Sequence, residues 1–184
     1  MELPTIHLSK CTLRQWNDND IFSLAKNANN KAIADNLRDI FPYPYTLDSA
    51  NFFLQQIANL DPNIIFAIEV DGEAVGSIGA HPFTDINRLG ADFGYWISET
   101  YWNKGIISEA IPAIVNYVFL KTTIIRLQAG VFESNLASKR VLEKNGFVLE
   151  SVMKKAIIKN NRIMDEFIFV KLKENYNKIK IIII

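Results

Sequence analysis

A short polar turn that leads into a long helix is the part of the sequence best suited to chemistry. In YWNKGIISEAIPAIVNYVF, apolar residues recur every three or four positions after Gly105, as on one face of a helix. The first backbone amides of a helix have no partner inside it and suit an anion such as phosphate. Gly105 permits close backbone approach, Lys104 supplies positive charge, and Ser108 supplies a hydroxyl donor. The pattern is compatible with an anion-binding turn, but a helix start that binds nothing is the commoner explanation of such a pattern. For Gly105 and Lys104 the alternatives are a plain turn glycine and a solvated lysine.

A second polar pair lies in ESNLASKRVLEKNG, which predicts a helix capped by Ser134 or Asn135 and ended by Gly146. Asn135 and Ser138 are three residues apart and therefore share one face of this helix. Their amide and hydroxyl groups suit hydrogen bonds to a bound molecule. The alternatives are a helix cap for Asn135 and an exposed helical serine for Ser138.

Aromatic residues surround two prolines in IFPYPYT. Phe41, Tyr43 and Tyr45 are expected either to wall an apolar slot or to be core aromatics that close a helix layer. Nearby, Asp35 and Asp39 are four residues apart, but no acidic cluster stands out as a polyamine site.

Composition limits the classes of function. The 184 residues suggest one domain, predicted over residues 1–175 with a tail at 176–184. Lys plus Arg and Asp plus Glu both number 20, so no basic excess favours a nucleic-acid partner. Cys11 is the only cysteine and His7 and His81 are the only histidines, so we expect no metal site. The absence of a signal pattern and of a membrane-length apolar run predicts a cytoplasmic protein without a membrane partner.

The elements that position these residues are predicted from hydrophobic spacing and turn residues. The expected order is strand, three helices, three strands, helix, strand, helix and two strands, with hairpin turns at Asp71-Gly72 and Asn160-Asn161. The first strand covers residues 6–16 and the second helix covers residues 31–39. These elements predict an α/β (α+β) three-layer fold in which helices flank a mixed, mostly antiparallel sheet of about seven strands. Residues 91–131 should form a right-handed crossover between two parallel strands.

Three segments together resemble the GNAT superfamily of acyl-CoA-dependent N-acetyltransferases. The resemblance is greatest to the branch that includes the ribosomal-protein-alanine N-acetyltransferases. LRDIFPYPYT resembles that branch's proline-aromatic loop near the acceptor, GYWISETYWNKGIISEA its strand and pyrophosphate loop, and VFESNLASKRVLEKNGF its Asn-x-x-Ser helix. The three occur in the family's order between residues 12 and 172. The resemblance therefore covers nearly the whole chain.

The resemblance implies acetyl-CoA as the cosubstrate. Backbone amides of the turn would bind its pyrophosphate, and its pantetheine arm would pair with strand backbone in a gap before the strand at residues 124–131. The residues implied in this binding are Tyr95, Trp96, Ile97, Trp102, Asn103, Lys104, Gly105, Ile106, Ile107, Ser108, Asn135 and Ser138. The partner would be an amine substrate, a peptide N-terminus or a small molecule, in contact with Phe41, Tyr43 and Tyr45. Dimers are favoured for this branch, although the sequence does not fix the oligomeric state.

The implied reaction is direct attack of a primary amine on the thioester. Asp92 is the expected base, since strand alternation places it on one face with Gly94 and Trp96. Glu133 and Glu69 are reserves, and a surface carboxylate is the alternative reading of Asp92.

The remaining catalytic predictions concern the thioester. Ser138 would meet the departing thiolate, with Asn135 beside it as the third catalytic residue. A backbone amide near Trp96 or Ile97 would stabilise the oxyanion.

The sequence also departs from the family pattern. Asn103 stands where the branch often has glycine, and Ile107 where glycine or alanine is usual. Pro112 lacks an N–H, so the helix is expected to kink or to begin its regular portion later. Leu142 occupies the position at which many members carry a tyrosine acid.

Three functions are therefore weighed. The first is an N-acetyltransferase, the second a non-catalytic acyl-CoA sensor on the same fold, and the third an interaction protein, for which the apolar tail Ile181–Ile184 is the only hint. That tail suits an edge strand, a subunit contact or a frayed end.

Overall fold

A computed structural model describes residues 3–174 as one eight-stranded sheet with helices on both faces. The strands are β1 Ile6–His7, β2 Thr12–Gln15, β3 Ile65–Val70, β4 Glu73–Pro82, β5 Gly90–Ile97, β6 Arg126–Phe132, β7 Val148–Lys159 and β8 Arg162–Leu172. The helices are α1 Ile21–Ala28, α2 Lys31–Ala34, α3 Leu47–Ala58, α4 Ile106–Lys121 and α5 Leu136–Lys144, with short 3₁₀ turns at Asp18–Asp20, Asp85–Asn87 and Glu99–Tyr101.

The strand order β1-β2-β3-β4-β5-β6-β8-β7 confirms a mixed, mostly antiparallel sheet. Within the described residues, β5 and β6 form the parallel pair, joined by α4 as predicted for residues 91–131. Positive φ angles at Asp71 (52°) and Gly72 (82°), and at Asn160 (51°) and Asn161 (60°), confirm both predicted hairpin turns.

Three boundaries differ from the predicted ones. The first strand divides into β1 and β2 at a turn closed by the bond from the Leu8 N–H to the Cys11 carbonyl (2.9 Å), which raises the strand count to eight. The second helix is a single turn at Lys31–Ala34, and β6 begins at Arg126 rather than at residue 124. The apolar tail Ile181–Ile184 lies outside the described residues.

The sheet separates two hydrophobic clusters. Buried side chains of α4, including Ile111 and Ile114, pack on one face with Leu127 of β6. On the other face Leu24 of α1 and Leu54 of α3 pack with β3. Alternation along a strand therefore assigns each β5 side chain to one cluster or the other. No helix within residues 3–174 has the length and apolar character needed to cross a membrane.

Candidate active site

A cleft opens where β5 and β6 diverge. The two strands pair only from Gly90 to Asp92 on β5 and from Arg126 to Gln128 on β6, although both strands continue further. Residues 93–97 of β5 therefore have no partner on that side. The cleft encloses about 700 Å³ and extends from the α4 turn to α5. A bound molecule has room to enter between these two strands.

The backbone direction along β5 follows from its pairing with β4. Phe83 donates to the Gly90 carbonyl (2.9 Å), and the Ser98 N–H donates to the Val75 carbonyl (2.8 Å). In an antiparallel pair these bonds recur at every second residue, so even-numbered β5 residues bond to β4. The N–H and C=O groups of Tyr95 and Ile97, beyond the last residue paired with β6, consequently point into the cleft.

This direction refines the expected backbone contacts. The Trp96 amide faces β4, opposite Ser77, so among the two predicted oxyanion donors Ile97 is the one directed into the cleft. The Ile97 carbonyl accepts a hydrogen bond from Nε1 of Trp102 (2.9 Å), which leaves both polar groups of Tyr95 and the N–H of Ile97 facing the cleft. Such an arrangement resembles a short exposed strand edge.

The turn before α4 lies at one end of the cleft. Gly105 is left-handed, with φ of 77°, and so is Asn103, with φ of 60°. Gly105 caps α4 without a side-chain acceptor, so the first-turn amides after it remain available. The helix runs from Ile106 to Lys121 with Pro112 inside it, so the later start, one of the two expected alternatives, was wrong, and the kink stays a prediction.

A lysine that the sequence did not single out supports this turn. Nζ of Lys10, in the β1–β2 turn, donates to the carbonyl of Lys104 (2.9 Å). The carboxylate of Glu109 accepts hydrogen bonds from the backbone N–H groups of Ser9 (2.8 Å) and Lys10 (3.1 Å). Burial acts to raise the pKa of Glu109, but hydrogen bonds from the side chain and backbone of Ser9 and from the backbone of Lys10 outweigh it and lower the pKa below its usual value. The β1–β2 turn therefore fastens the start of α4.

The residues predicted to bind the cofactor differ in where they lie. Those that line the cleft are Tyr95, Trp96, Ile97, Trp102, Asn103, Gly105, Ile106, Ile107, Ser108, Asn135 and Ser138. Lys104 does not line it; its Nζ lies 4.8 Å from the centre of the Tyr101 ring. Nζ of Lys10 is 2.7 Å from the position of a Cβ built on Gly105, so Lys10 places a positive charge at this turn.

The α5 pair is joined to β5 by a tyrosine hydroxyl. Oδ1 of Asn135 accepts from the Ser138 N–H (3.1 Å), so Asn135 is a helix cap that also lines the cleft. Oη of Tyr95 lies 2.9 Å from Oγ of Ser138. Burial raises the pKa of Tyr95 to about 12, against a smaller opposing effect of this hydrogen bond, so Tyr95 is neutral at ordinary pH. Leu142 is fully buried and has no hydroxyl, so the hydroxyls at this end of the cleft come from the Tyr95–Ser138 pair and from Ser134.

The three predicted bases are each engaged elsewhere. Asp92 is paired with Arg38 (2.8 Å). Glu69 is paired with Arg14, and Glu133 accepts from the Asp165 N–H (2.9 Å). None of the three lines the cleft.

The side of the cleft formed by α2 and the segment after it is lined by Ala32, Ile33, Asn36 and Leu37. Of the predicted aromatics, Tyr45 is buried in the α1–α3 cluster and Tyr43 is exposed. Phe41 packs between Tyr45 and Trp96, with ring centres 4.8 Å and 5.7 Å apart respectively. The slot role of these aromatics stays a prediction.

The fold and the cleft define an acetyltransferase-like α/β domain. A family model described as an acetyltransferase (GNAT) domain matches residues 10–148, and the chain belongs to that family. An uncharacterized N-acetyltransferase of Bacillus subtilis is 35% identical over 97 residues, which cover 53% of this chain and 54% of the relative. The ribosomal-protein-serine acetyltransferase of Escherichia coli is 28% identical over 108 residues, which cover 59% and 60%.

A solved structure shares the fold over almost the whole chain. It is a ribosomal L7/L12 alpha-N-protein acetyltransferase in complex with coenzyme A, with a TM-score of 0.83 and 23% identity over 92% of this chain and 98% of that one. By sequence, the match spans little more than half the length of the curated relatives described above.

Proposed function

We propose that the protein is an N-acetyltransferase that moves the acetyl group of acetyl-CoA to a primary amine by direct attack on the thioester. The observation that carries this proposal is the unpaired backbone of residues 93–97, which shares one cleft with the left-handed turn at Gly105. Family membership and the coenzyme A complex of a structural relative support it.

The residues of the cleft fit acetyl-CoA. The polar backbone groups of Tyr95 and Ile97 suit an extended amide chain such as pantetheine, which would pair as an added strand. The free amides after Gly105, with the dipole of α4, suit the pyrophosphate. The volume of about 700 Å³ is adequate for a ligand of this class.

Bound acetyl-CoA supplies an activated acyl group, and the protein supplies donors around it. The Ile97 N–H is the proposed oxyanion donor. The Ser138 hydroxyl, held by Tyr95, is the proposed proton donor to the departing sulfur. Asn135 holds the first turn of α5 so that Ser138 faces the cleft. The base predicted from the sequence is Asp92, which is paired with Arg38 and does not line the cleft.

The acceptor is proposed as a protein N-terminal α-amine, with a small-molecule amine as the alternative. Support comes from the Escherichia coli relative, which is a ribosomal-protein-serine acetyltransferase. We further propose that the protein is a cytoplasmic homodimer and that the reaction uses no metal.

Calorimetric titration with acetyl-CoA tests the first step, with coenzyme A and adenosine as comparison ligands. We expect micromolar binding of acetyl-CoA and coenzyme A, and none of adenosine, since the turn binds the pyrophosphate. Release of free coenzyme A is then measured with a peptide that begins with a free serine. Release that depends on the peptide supports the enzyme. Binding without release from any peptide or amine of a panel points to the sensor, and no binding refutes both.

Lys10→Met is expected to weaken acetyl-CoA binding about tenfold, because losing the charge-assisted bond to the Lys104 carbonyl loosens the turn by about 1.4 kcal/mol. Lys121→Met is the matched control, since Lys121 is exposed at the other end of α4 and carries the same charge. Calorimetry measures both. Equal weakening by the two variants would assign the effect to net charge and not to the turn.

A further inference from the structure

Two glycines flank the cleft on the face of the sheet that carries Asp92. Asp92 and Gln128 are the last paired residues of β5 and β6, and Gly94 and Gly130 each lie two residues beyond that pair. Both are exposed and both line the cleft. A Cβ built on Gly94 meets no atom within 4 Å. On this face the strands therefore leave an opening, opposite the face where Tyr95 reaches Ser138.

One carboxylate occupies the edge of this opening. A Cβ built on Gly130 would lie 2.3 Å from Oε1 of Glu166, so only glycine at position 130 leaves room for that side chain. Glu166 is on β8, opposite Phe132 of β6, and it is half-buried. Its carboxylate lies against the backbone of Gly130, which lines the cleft, although Glu166 itself does not line it.

Glu166 differs from the carboxylates predicted from the sequence. Among residues 3–174, the side chain of Glu166 forms neither a hydrogen bond nor an ion pair, whereas Asp92 is held by Arg38 and Glu133 by the Asp165 amide. Protonation of Asp92 would weaken its ion pair with Arg38, and protonation of Glu133 would weaken its hydrogen bond from the Asp165 amide. Glu166 is free to accept a proton without such a loss.

We propose that the acceptor amine enters through the opening at Gly94 and Gly130 and that Glu166 is its proton acceptor. This inference rests on the proposed acetyl transfer. The amine nitrogen forms the bond to the acyl carbon as the carbon–sulfur bond breaks, and the electron pair of that bond stays on sulfur. Glu166 takes the proton from nitrogen, and the Ser138 hydroxyl gives one to sulfur. Solvent then carries the proton from Glu166 back to Ser138, so the charges balance.

Glu166→Gln tests the proposal with the serine-initiated peptide. We expect kcat to fall about 100-fold, in the range of general base catalysis. The limb of the pH profile that requires a deprotonated base should be lost as well. Acetyl-CoA affinity should stay unchanged, which also reports that the variant is folded. Glu166→Asp should restore part of the rate. Gly130→Ala should lower the rate while keeping the charge, because the new methyl group displaces the carboxylate.

Glu143→Gln, an exposed carboxylate on α5, is the matched control and should keep the wild-type rate. Asp92→Asn is compared in the same assay. If Glu166→Gln keeps the wild-type rate and pH profile while Asp92→Asn loses both, the proposal is overturned and the base is Asp92. If the wild-type protein binds acetyl-CoA but acetylates no amine, the proposed function fails and the inference fails with it. If the wild type turns over in a peptide-dependent way and Glu166→Gln is slow, the result supports both the proposed acetyl transfer and the role of Glu166.

Discussion

Gly105→Val is expected to lower the affinity for acetyl-CoA about 1000-fold. The φ of 77° at Gly105 is strained for a β-branched residue, and the added side chain would meet Lys10, whose Nζ is 2.7 Å from the Cβ position. Relaxing the strain turns the first α4 amides away from the pyrophosphate. Backbone strain of about 1–3 kcal/mol and the loss of a charged hydrogen bond worth about 1.5–3 kcal/mol together account for roughly 4 kcal/mol.

Gly72→Val is the matched control for this prediction. Gly72 has a φ of 82°, and nothing lies within 4 Å of its Cβ position, so the substitution adds similar strain at a hairpin turn far from the cleft in sequence. Both variants should show a lower melting temperature, but only Gly105→Val should lose acetyl-CoA in calorimetry. Tight binding by a folded Gly105→Val protein would show that the turn does not hold the pyrophosphate.

Removing either hydroxyl of the Tyr95–Ser138 pair is expected to lower kcat about 300-fold, within the range for general acid catalysis. Ser138→Ala removes the proposed donor, and Tyr95→Phe removes the group that orients it. Because the two act as one unit, the double variant should be no slower than Ser138→Ala alone. Steady-state rates of the wild type, the two single variants and the double variant complete the double-mutant cycle.

Tyr117→Phe is the control, since Tyr117 packs against Phe66 in the α4 cluster and lies away from the cleft. The pKa of about 12 for Tyr95 adds a pH criterion. Raising a tyrosine pKa keeps the hydroxyl protonated, so the wild-type rate should not decline through Tyr95 ionisation until the pH approaches 12. Additive losses in the double variant would separate the two hydroxyls into independent roles.

Local patterns in the sequence predicted much of this architecture. The Asp-Gly and Asn-Asn turns predicted both hairpins, and hydrophobic spacing predicted that α4 follows Gly105. The break between β1 and β2 was missed because the turn residues Ser9, Lys10 and Cys11 include no glycine or proline. The second helix was predicted too long because KAIADNLRD has helical composition, whereas only its first residues are helical in the fold.

The contacts that complete the site were not predictable in the same way. Tyr95 meets Ser138 across 43 residues of sequence, and Lys10 reaches Lys104 across 94. The space at Gly130 taken by Glu166 depends on the register of β6 against β8. Each requires the order of strands in the sheet, which spacing along one chain does not encode. The isolated glycine in LQAGVF, Gly130, was the local signal of a close neighbour. The sequence alone does not show that this neighbour is Glu166.

The two hydrophobic clusters on opposite faces of the sheet indicate how the acceptor specificity of the proposed enzyme could diverge between related proteins. Phe41 and the Trp96 ring belong to the α1–α3 side, whereas the side chains of Ile106 and Ile111 belong to the α4 side. Substitutions in separate clusters have nearly additive effects on stability. Asn36 and Leu37 line the cleft but belong to neither cluster. Under the proposed function, substitutions there are therefore expected to change the acceptor amine with little effect on the packing of α4 around Ile106 and Ile111.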